Sequence, residues 1–206
     1  MLPAHIAPRD WVGETAVIVA SGPSTDTVDL SPIWRHRVIA VAHGYRAVPH
    51  AEVLIVGGVA FYRQNDLSQF RGSLIVASGP GVHRLRPWDP RMVMMLRDRP
   101  LGVSGDPGAL SGSESSVMLA INYAVHRGVS RIVLLGCDGQ PSPAGMRRVG
   151  QVERDTRNAR DRYRAQEEAM RTQILPLAML GVEIVNCSPG SALTIYRRDR
   201  LDAVLR

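Results

Sequence analysis

The chain contains no lysine, and all 25 of its basic side chains are arginines. This absence excludes mechanisms that need a lysine amine: a Walker-A phosphate loop, a protein-kinase active site, and a Schiff base with pyridoxal phosphate or a carbonyl substrate. Arginine can replace lysine as a phosphate ligand, because its planar guanidinium donates to two oxygens at once. The sequence therefore still allows a phosphate-binding site, provided that arginine supplies its positive charge.

Cysteines and long apolar runs are also scarce. Two cysteines, Cys137 and Cys187, are too few for a disulfide framework or a zinc site, so we expect reduced thiols in a cytoplasmic protein. No run approaches the roughly 18 apolar residues of a membrane helix. The first residues lack the basic-then-apolar layout of a signal peptide. We therefore expect no membrane partner.

Aromatic residues make up only 5% of the chain, although its formal net charge is +6. The arginines are spread along the sequence, apart from a run between Arg147 and Arg171. Few aromatics and no focused basic patch argue against sequence-specific nucleic-acid binding. The length of 206 residues suits one domain, 1–206. It leaves little room for a separate acceptor domain, so a homo-oligomer is compatible with this size.

Short runs rich in valine and isoleucine predict a mostly parallel sheet, because such runs are typical of strands buried on both faces. We predict about six strands, at Thr15–Ala20, Val38–Ala42, Val53–Val56, Ser73–Ala77, Arg131–Leu135 and Val182–Val185. Helical patterns alternate with them at Ser115–Arg127, which stops at Gly128, and at Glu153–Leu180, broken before Pro176. This alternation predicts a doubly wound α/β domain with helices on both faces.

Ligands of such sheets bind at the carboxyl ends of the strands, so the polar residues directly after each strand are the candidate ligands. The first strand leads into Ser21, Gly22, Pro23 and Ser24, a turn that admits a close ligand or simply starts a helix. It matches neither GxGxxG nor a Walker-A loop. The fifth strand leads into Asp138, an acid suited to a ribose hydroxyl, a metal or a substrate hydroxyl.

Three further strand exits carry polar residues. His43 and Gly44 come after the second strand, where the histidine either serves a ligand or bonds a nearby backbone group. The serine-rich run with Ser111, Gly112 and Ser113 precedes a helix and either binds an anion or caps that helix. The last strand leads into a polar loop that contains Asn186 and Ser188. We predict His43 as a candidate acid or base and the other residues as ligand-binding residues, and we assign no metal ligand.

Together, the segments VIVASGPST, LSGSESSVMLAINYAVHRGVSRIVLLGCDG and VEIVNCSPGSAL resemble the MptE-like superfamily. That superfamily includes 6-hydroxymethylpterin pyrophosphokinases, bacterial sialyltransferases with a Gly-x-Gly-Pro-Ser loop, and short bacterial and phage proteins. The resemblance covers most of the chain in order. It implies a Rossmann-like fold that binds a nucleotide-activated substrate, that is, a nucleotide or nucleotide sugar as donor.

The resemblance also implies roles for individual residues. The residues that would contact the nucleotide phosphate, sugar or base are Gly22, Pro23, Ser24, Ser111, Gly112 and Ser113. Asp138 would close the pocket, and His43 stands where these families often have asparagine. Two features depart from the family pattern. All six histidines precede Asp138, whereas the sialyltransferases use a late histidine as base. Gly57 and Gly58 stand where an acid often comes after the third strand.

Three hypotheses stay open. The first is a metal-independent glycosyltransferase that uses a nucleotide-activated sugar, with Asp138 or His43 as the base that deprotonates an acceptor not identified by the sequence. Under it, the arginine-rich stretch 147–180 is a helical lid facing the leaving phosphate; the alternative is a solvated helix. The second is a magnesium-dependent ATP pyrophosphokinase. The third is a non-enzymatic interaction protein on a nucleotide-binding fold.

Overall fold

The central element is an eight-stranded sheet in which every neighbouring pair of strands is parallel. The computed structural model describes residues 1–85, 89–98, 101–112, 115–141, 146–148, 151–152 and 156–205. The strands are β1 Thr15–Val19, β2 Arg37–Val41, β3 Val53–Val56, β4 Leu74–Ala77, β5 Met92–Met94, β6 Leu96–Arg97, β7 Ala109–Leu110, β8 Arg131–Leu135, β9 Met146–Arg148, β10 Gln151–Val152, β11 Glu183–Asn186 and β12 Arg197–Arg198. The pairs β6–β7 and β9–β10 form separate small ladders.

The order of the large sheet is β12-β11-β8-β1-β2-β3-β4-β5. From β1 the chain adds strands outward as far as β5, then returns to the other side of β1 to add β8, β11 and β12. The strand order therefore reverses between β1 and β8. In open α/β sheets, the two strand exits at such a reversal diverge and leave a crevice for a ligand.

All six predicted strands are present, with ends shifted by at most one residue. The predicted count of about six is wrong for the large sheet, which has eight strands. The two additional strands, β5 and β12, lie at its edges. β5 has only three residues, and β12 consists of two exposed arginines, Arg197 and Arg198. β12 has no apolar run, which explains why the sequence pattern missed it. β5 lies in the apolar run 92–96, a signal that the prediction did not use.

Helices cover both faces of the sheet, as the sequence predicts. They are α1 Val59–Gln64, α2 Ser116–Arg127, α3 Thr156–Arg171, α4 Ile174–Met179 and α5 Leu201–Val204, with 3₁₀ helices at Pro23–Thr27, Ser31–Arg35, Ala42–Arg46 and Val82–Arg84. One core layer packs α2, α3 and α4 against the sheet, and the other packs α1, α5 and the 3₁₀ helices Ser31–Arg35, Ala42–Arg46 and Val82–Arg84. Within the described ranges, no helix has the length and apolarity to span a bilayer.

The helix α2 confirms its predicted bounds and lies across β1, β2 and β3. The Oγ of Ser115 accepts a hydrogen bond from the N–H of Val117 (3.2 Å), and Gly128 ends the helix with a φ of +92°. The predicted second helix is two helices, since α3 ends at Arg171 and α4 begins at Ile174. Its predicted start, 153–155, lies outside the described residues.

The last turn of α2 anchors the segment that precedes β1. The guanidinium carbon of Arg127 lies 3.8 Å from the ring centroid of Trp11, a fully buried side chain. Arg127 also donates to Asp10 (2.6 Å) and to the hydroxyl of Tyr123 (2.9 Å). Stacking and hydrogen bonding together hold the start of β1 against α2.

We expect Arg127→Ala and Asp10→Asn to differ in their effects on stability. The Arg127 side chain is 6% exposed and Asp10 is 54% exposed, so only the arginine contributes buried packing. Arg127→Ala should lower the free energy of unfolding by about 2 kcal/mol or more, because it also leaves a void beside the Trp11 ring. Asp10→Asn should lower it by less than about 1 kcal/mol. Urea denaturation measures both; equal losses would contradict this account.

Candidate functional site

A cleft of about 260 Å³ opens at the carboxyl ends of β1 and β8, at the reversal of strand order. This is near the lower end of the roughly 300–1,000 Å³ of typical ligand pockets. Five elements supply its polar and backbone walls: the exits of β1, β2 and β8, the N-terminus of α2, and α3. Their lining residues include Ala20, Ser21, Gly22, Ala42, Gly136, Cys137, Asp138, Ser115, Ser116, Arg162, Tyr163, Gln166 and Glu167.

The floor of the cleft is made by two strand exits in close contact. The N–H of Gly22 donates to the carbonyl of Gly136 (2.9 Å). A Cβ at Gly22 would overlap that carbonyl and lie 2.6 Å from Cγ of Asp138. A Cβ at Gly136, where φ is +66°, would overlap the Thr25 hydroxyl. Both positions therefore require glycine, because any side chain would force the two exits apart.

The contact of the two exits also orients Asp138. The backbone N–H of Ser24 donates to Oδ2 (3.0 Å), and the Ser24 hydroxyl donates to Oδ1. The Asp138 carboxylate thus caps the 3₁₀ helix that begins at Pro23, while its partly buried side chain lines the cleft. Burial raises the pKa of this carboxyl, and the hydrogen bonds from Ser24 offset part of the rise. The group is held in one orientation and is more basic than an exposed aspartate.

The loop after β11 supports Asp138 from behind. The Ser188 hydroxyl accepts from the N–H of Cys137 (2.9 Å), and the Ser191 hydroxyl donates to the Cys137 carbonyl (2.7 Å). Asn186 donates in turn to the Ser191 hydroxyl (3.0 Å). Asn186 and Ser188 are buried and do not line the cleft. The structure therefore places these two predicted ligands where they position the β8 exit.

Of the residues after β2, only Ala42 lines the cleft. His43 is buried, and its ring meets Phe61 edge-to-face with centroids 4.8 Å apart. Gly44 packs under the β1 exit, where a Cβ would overlap the carbonyl of Val19. Neither predicted residue lines the cleft, and their predicted roles as base and ligand stay predictions.

The serine-rich run contributes other serines than those predicted. Ser111 is fully buried and donates its N–H to the Asn122 side chain (2.7 Å). Gly112 packs against α2, where a Cβ would lie 2.7 Å from Cβ of Met118. Ser113 lies outside the described residues. Ser115 and Ser116 line the cleft instead. The feature of the sequence that indicates them is the predicted start of a helix, where backbone N–H groups attract anions.

The sequence predicted a lid in this part of the chain but identified none of the α3 side chains that line the cleft. Arg162, Tyr163, Gln166 and Glu167 form one wall of it. Within the predicted lid 147–180, the helix α3 lies beside the cleft. Residues 149–150 and 153–155 lie outside the described residues, and the lid and its movement stay predictions. The spacing of these residues at i, i+1, i+4 and i+5 is the signal for one helix face, but it does not tell what the face contacts.

Ala42 has a φ of +48° and is the one described non-glycine residue with positive φ. L-residues in this region carry a cost of roughly 1–2 kcal/mol. Such residues cluster at functional sites, where the surrounding structure holds them in place. A strained residue in the wall of the cleft supports the assignment of this cleft as the site.

A comparison with solved structures finds a protein with a similar fold. The structure is similar to that of the sialyltransferase CstII from Campylobacter jejuni, with a TM-score of 0.53 and 11% sequence identity over 90% of this chain and 85% of that one. That protein was solved in complex with a substrate analogue, CMP-3FNeuAc. No family model and no curated protein sequence matches this chain. The predicted relation to the sialyltransferase fold is thereby confirmed, and the MptE-like assignment stays a prediction.

We expect the stability effect of Asp138→Asn to depend on pH. Because the folded-state pKa of Asp138 lies above its usual value of 3.8, the folded protein holds this proton more tightly than the unfolded chain. The carboxyl therefore destabilises the fold as pH rises through the interval between the two values. The melting temperature of Asp138→Asn minus that of wild type should increase between about pH 3.5 and pH 7. A difference that stays flat over this range would contradict the account.

The backbone of the β2 exit gives a second, paired prediction. Ala42→Gly removes the strain at positive φ, and after the entropy of the added glycine it should stabilise the fold by about 0.5–1 kcal/mol. Gly44→Ala introduces an overlap with the Val19 carbonyl and should destabilise by about 1–3 kcal/mol. Chemical denaturation of both variants tests the signs. Loss of stability in Ala42→Gly would show that the alanine side chain packs rather than strains.

Proposed function

We propose that this chain is a nucleotide-dependent transferase, specifically a metal-independent glycosyltransferase that uses a nucleotide-activated sugar. The observation that carries the proposal is the cleft at the reversal of strand order. There the glycine-floored loop of β1, the N-terminus of α2 and the carboxylate of Asp138 face one space. The similarity of the fold to a sialyltransferase supports the class of reaction but not the donor.

The nucleotide phosphate is assigned to the α2 end of the cleft. The first turn of α2 presents the positive end of the helix dipole, and Ser115 and Ser116 add hydroxyls. Arg162 of α3 reaches the same cleft with a guanidinium. As the bond to the donor sugar breaks, negative charge grows on the departing phosphate. Fixed donors at that position lower the barrier by stabilising the charge.

Asp138 is assigned as the base. In the proposed reaction, an acceptor hydroxyl loses its proton to the carboxylate, its oxygen bonds to the anomeric carbon, and the bond from that carbon to the phosphate oxygen breaks. The raised pKa suits this task, since a base works best when its pKa approaches the working pH. The hydrogen bonds from Ser24 fix the carboxylate in the wall of the cleft. His43 remains the second candidate, and it needs a route from its buried position to the cleft.

A magnesium-dependent ATP pyrophosphokinase is the second candidate. The observation that favours it is a second carboxylate in the cleft, Glu167, in addition to Asp138. Carboxylates and phosphate oxygens together bind magnesium. Glu167 also accepts a hydrogen bond from Arg171 (3.1 Å). In the described part of the chain, no group of three His, Cys, Asp or Glu side chains is placed to hold a metal ion.

A thermal-shift panel of CMP, UDP, GDP, ADP and ATP, each with magnesium and with EDTA, separates the hypotheses. Under the proposal, one nucleotide raises the melting temperature equally in both buffers. Saturation at 100 times the dissociation constant adds about 2.7 kcal/mol of stability, which is readily detected. A shift only with ATP and magnesium favours the pyrophosphokinase. No shift with any nucleotide contradicts both enzyme hypotheses and leaves an interaction protein.

Two arginines of α3 provide a matched test of the cleft. Arg162 lines the cleft, whereas Arg164 points away and is 80% exposed beside Glu168. We expect Arg162→Gln to weaken nucleotide binding about 10- to 100-fold, the loss of one charged hydrogen bond to phosphate. Arg164→Gln should bind as wild type does. Titration calorimetry with the nucleotide found in the panel measures both, and equal affinities would remove α3 from the site.

A further inference from the structure

A second positively charged feature lies at the same edge of the sheet, apart from the cleft. Arg97, at the end of β6, extends its side chain to the carboxyl ends of β3 and β4. Its Nη2 donates to the carbonyl of Ser78, the residue directly after β4 (3.0 Å). The guanidinium therefore sits among strand exits, at the edge where open α/β sheets bind their ligands.

The charge of Arg97 has no anionic partner in the described part of the chain. None of the described carboxylates lies within ion-pair distance of it, and its buried Nε has no hydrogen-bond acceptor. The adjacent carboxylate, Asp98, accepts instead from the Ser104 hydroxyl (2.6 Å). Burial accordingly lowers the pKa of the Arg97 guanidinium. A partly buried charge that lacks a counterion destabilises the free protein.

The guanidinium of Arg97 packs closely against two glycines. A Cβ at Gly79 would lie 3.3 Å from Nη2 of Arg97, and a Cβ at Gly57 would lie 3.6 Å from the same atom. Gly58, between them along the edge, has a φ of +128° and faces open space. Gly57 is exposed, so solvent reaches this hollow. A ligand oxygen can therefore approach Arg97 where side chains would otherwise stand.

The hollow adjoins the cleft through one residue. Ser116 lines the cleft, and its hydroxyl accepts from the N–H of Gly57 (3.2 Å). The cleft lies between β8 and β1, and the hollow between β3 and β4, three strand spacings away. At about 4.8 Å per spacing this is about 14 Å. A nucleotide in the cleft leaves the hollow free for the other end of a two-substrate complex.

We propose that Arg97 binds an oxyanion, the carboxylate or phosphate group of an acidic acceptor sugar. The guanidinium can donate to such a group through the terminal N–H groups that its bond to Ser78 leaves unused, and the nearby N-terminus of α2 adds positive potential. The oxyanion site is inferred from Arg97 and the glycines alone. Its description as an acceptor subsite rests on the proposed glycosyltransferase function.

The first test compares glucose, glucuronate and glucose 6-phosphate, which differ in charge at one carbon. Binding is measured by titration calorimetry on the full chain, without and with the nucleotide identified above. Wild type should bind at least one acidic sugar tenfold or more tightly than glucose, and the better probe distinguishes carboxylate from phosphate. Arg97→Met should abolish the preference. Arg63→Met, which removes an exposed arginine from α1, should keep it.

Stability in the absence of ligand distinguishes a binding role from a structural one. Removal of an uncompensated charge should leave the melting temperature of Arg97→Met unchanged or raise it. A lower melting temperature together with an intact acid preference would overturn the proposal. If Arg97→Met does not fold, Arg97→Gln, which removes the charge but keeps a polar side chain, takes its place with the same expected result.

The two proposals fail separately. Nucleotide binding without any preference for an acidic sugar overturns the Arg97 site and leaves the glycosyltransferase proposal standing. If the protein binds no nucleotide but shows an Arg97-dependent preference for an acidic sugar, the Arg97 site stands and the glycosyltransferase proposal is overturned. In Arg97→Met, the thermal shift caused by nucleotide should stay as in wild type, because Arg97 does not line the cleft.

Discussion

The close contact between the exits of β1 and β8 is the constraint on which the site depends. Glycine at 22 and 136 lets the two backbones meet, and the meeting places Ser24 against Asp138. The carboxylate then serves two purposes at once, because it caps a 3₁₀ helix and faces the cleft. The β11 loop supports this pair from behind through Ser188. The two strand exits, Asp138 and the β11 loop are thus joined in one hydrogen-bonded unit.

The central part of the sheet was predicted from the sequence, and its two edge strands were missed. Central strands are buried on both faces, so each one needs a continuous apolar run that is visible in the sequence. β12 is formed by two exposed arginines, and its pairing comes from its neighbour β11 rather than from its own residues. The start and end of α2 were predictable because a serine cap and a glycine stop act locally.

The candidate site was predictable where it depends on the rule of strand ends. That rule places Ser21, Gly22 and Asp138 together, and the structure shows them in one cleft. It cannot tell a residue that faces the ligand from one that holds the loop, and so it also selected Asn186. Ala42 was missed because positive φ leaves no mark on an alanine. The cleft face of α3 was missed because helix docking is decided by tertiary packing.

The position of α3 links the cleft to the core. Its Ala169 and Met170 belong to the packed layer on one face of the sheet, while Arg162 and Gln166 line the cleft. Docking of this helix is therefore thermodynamically coupled to ligand binding in the cleft. A ligand that contacts α3 stabilises the docked position of the helix. By reciprocity, a change at the buried Ala169, which packs α3 into the core and does not line the cleft, adjusts ligand affinity without touching the ligand. Evolution can thus tune affinity through the packing of this helix while the residues that line the cleft stay constant.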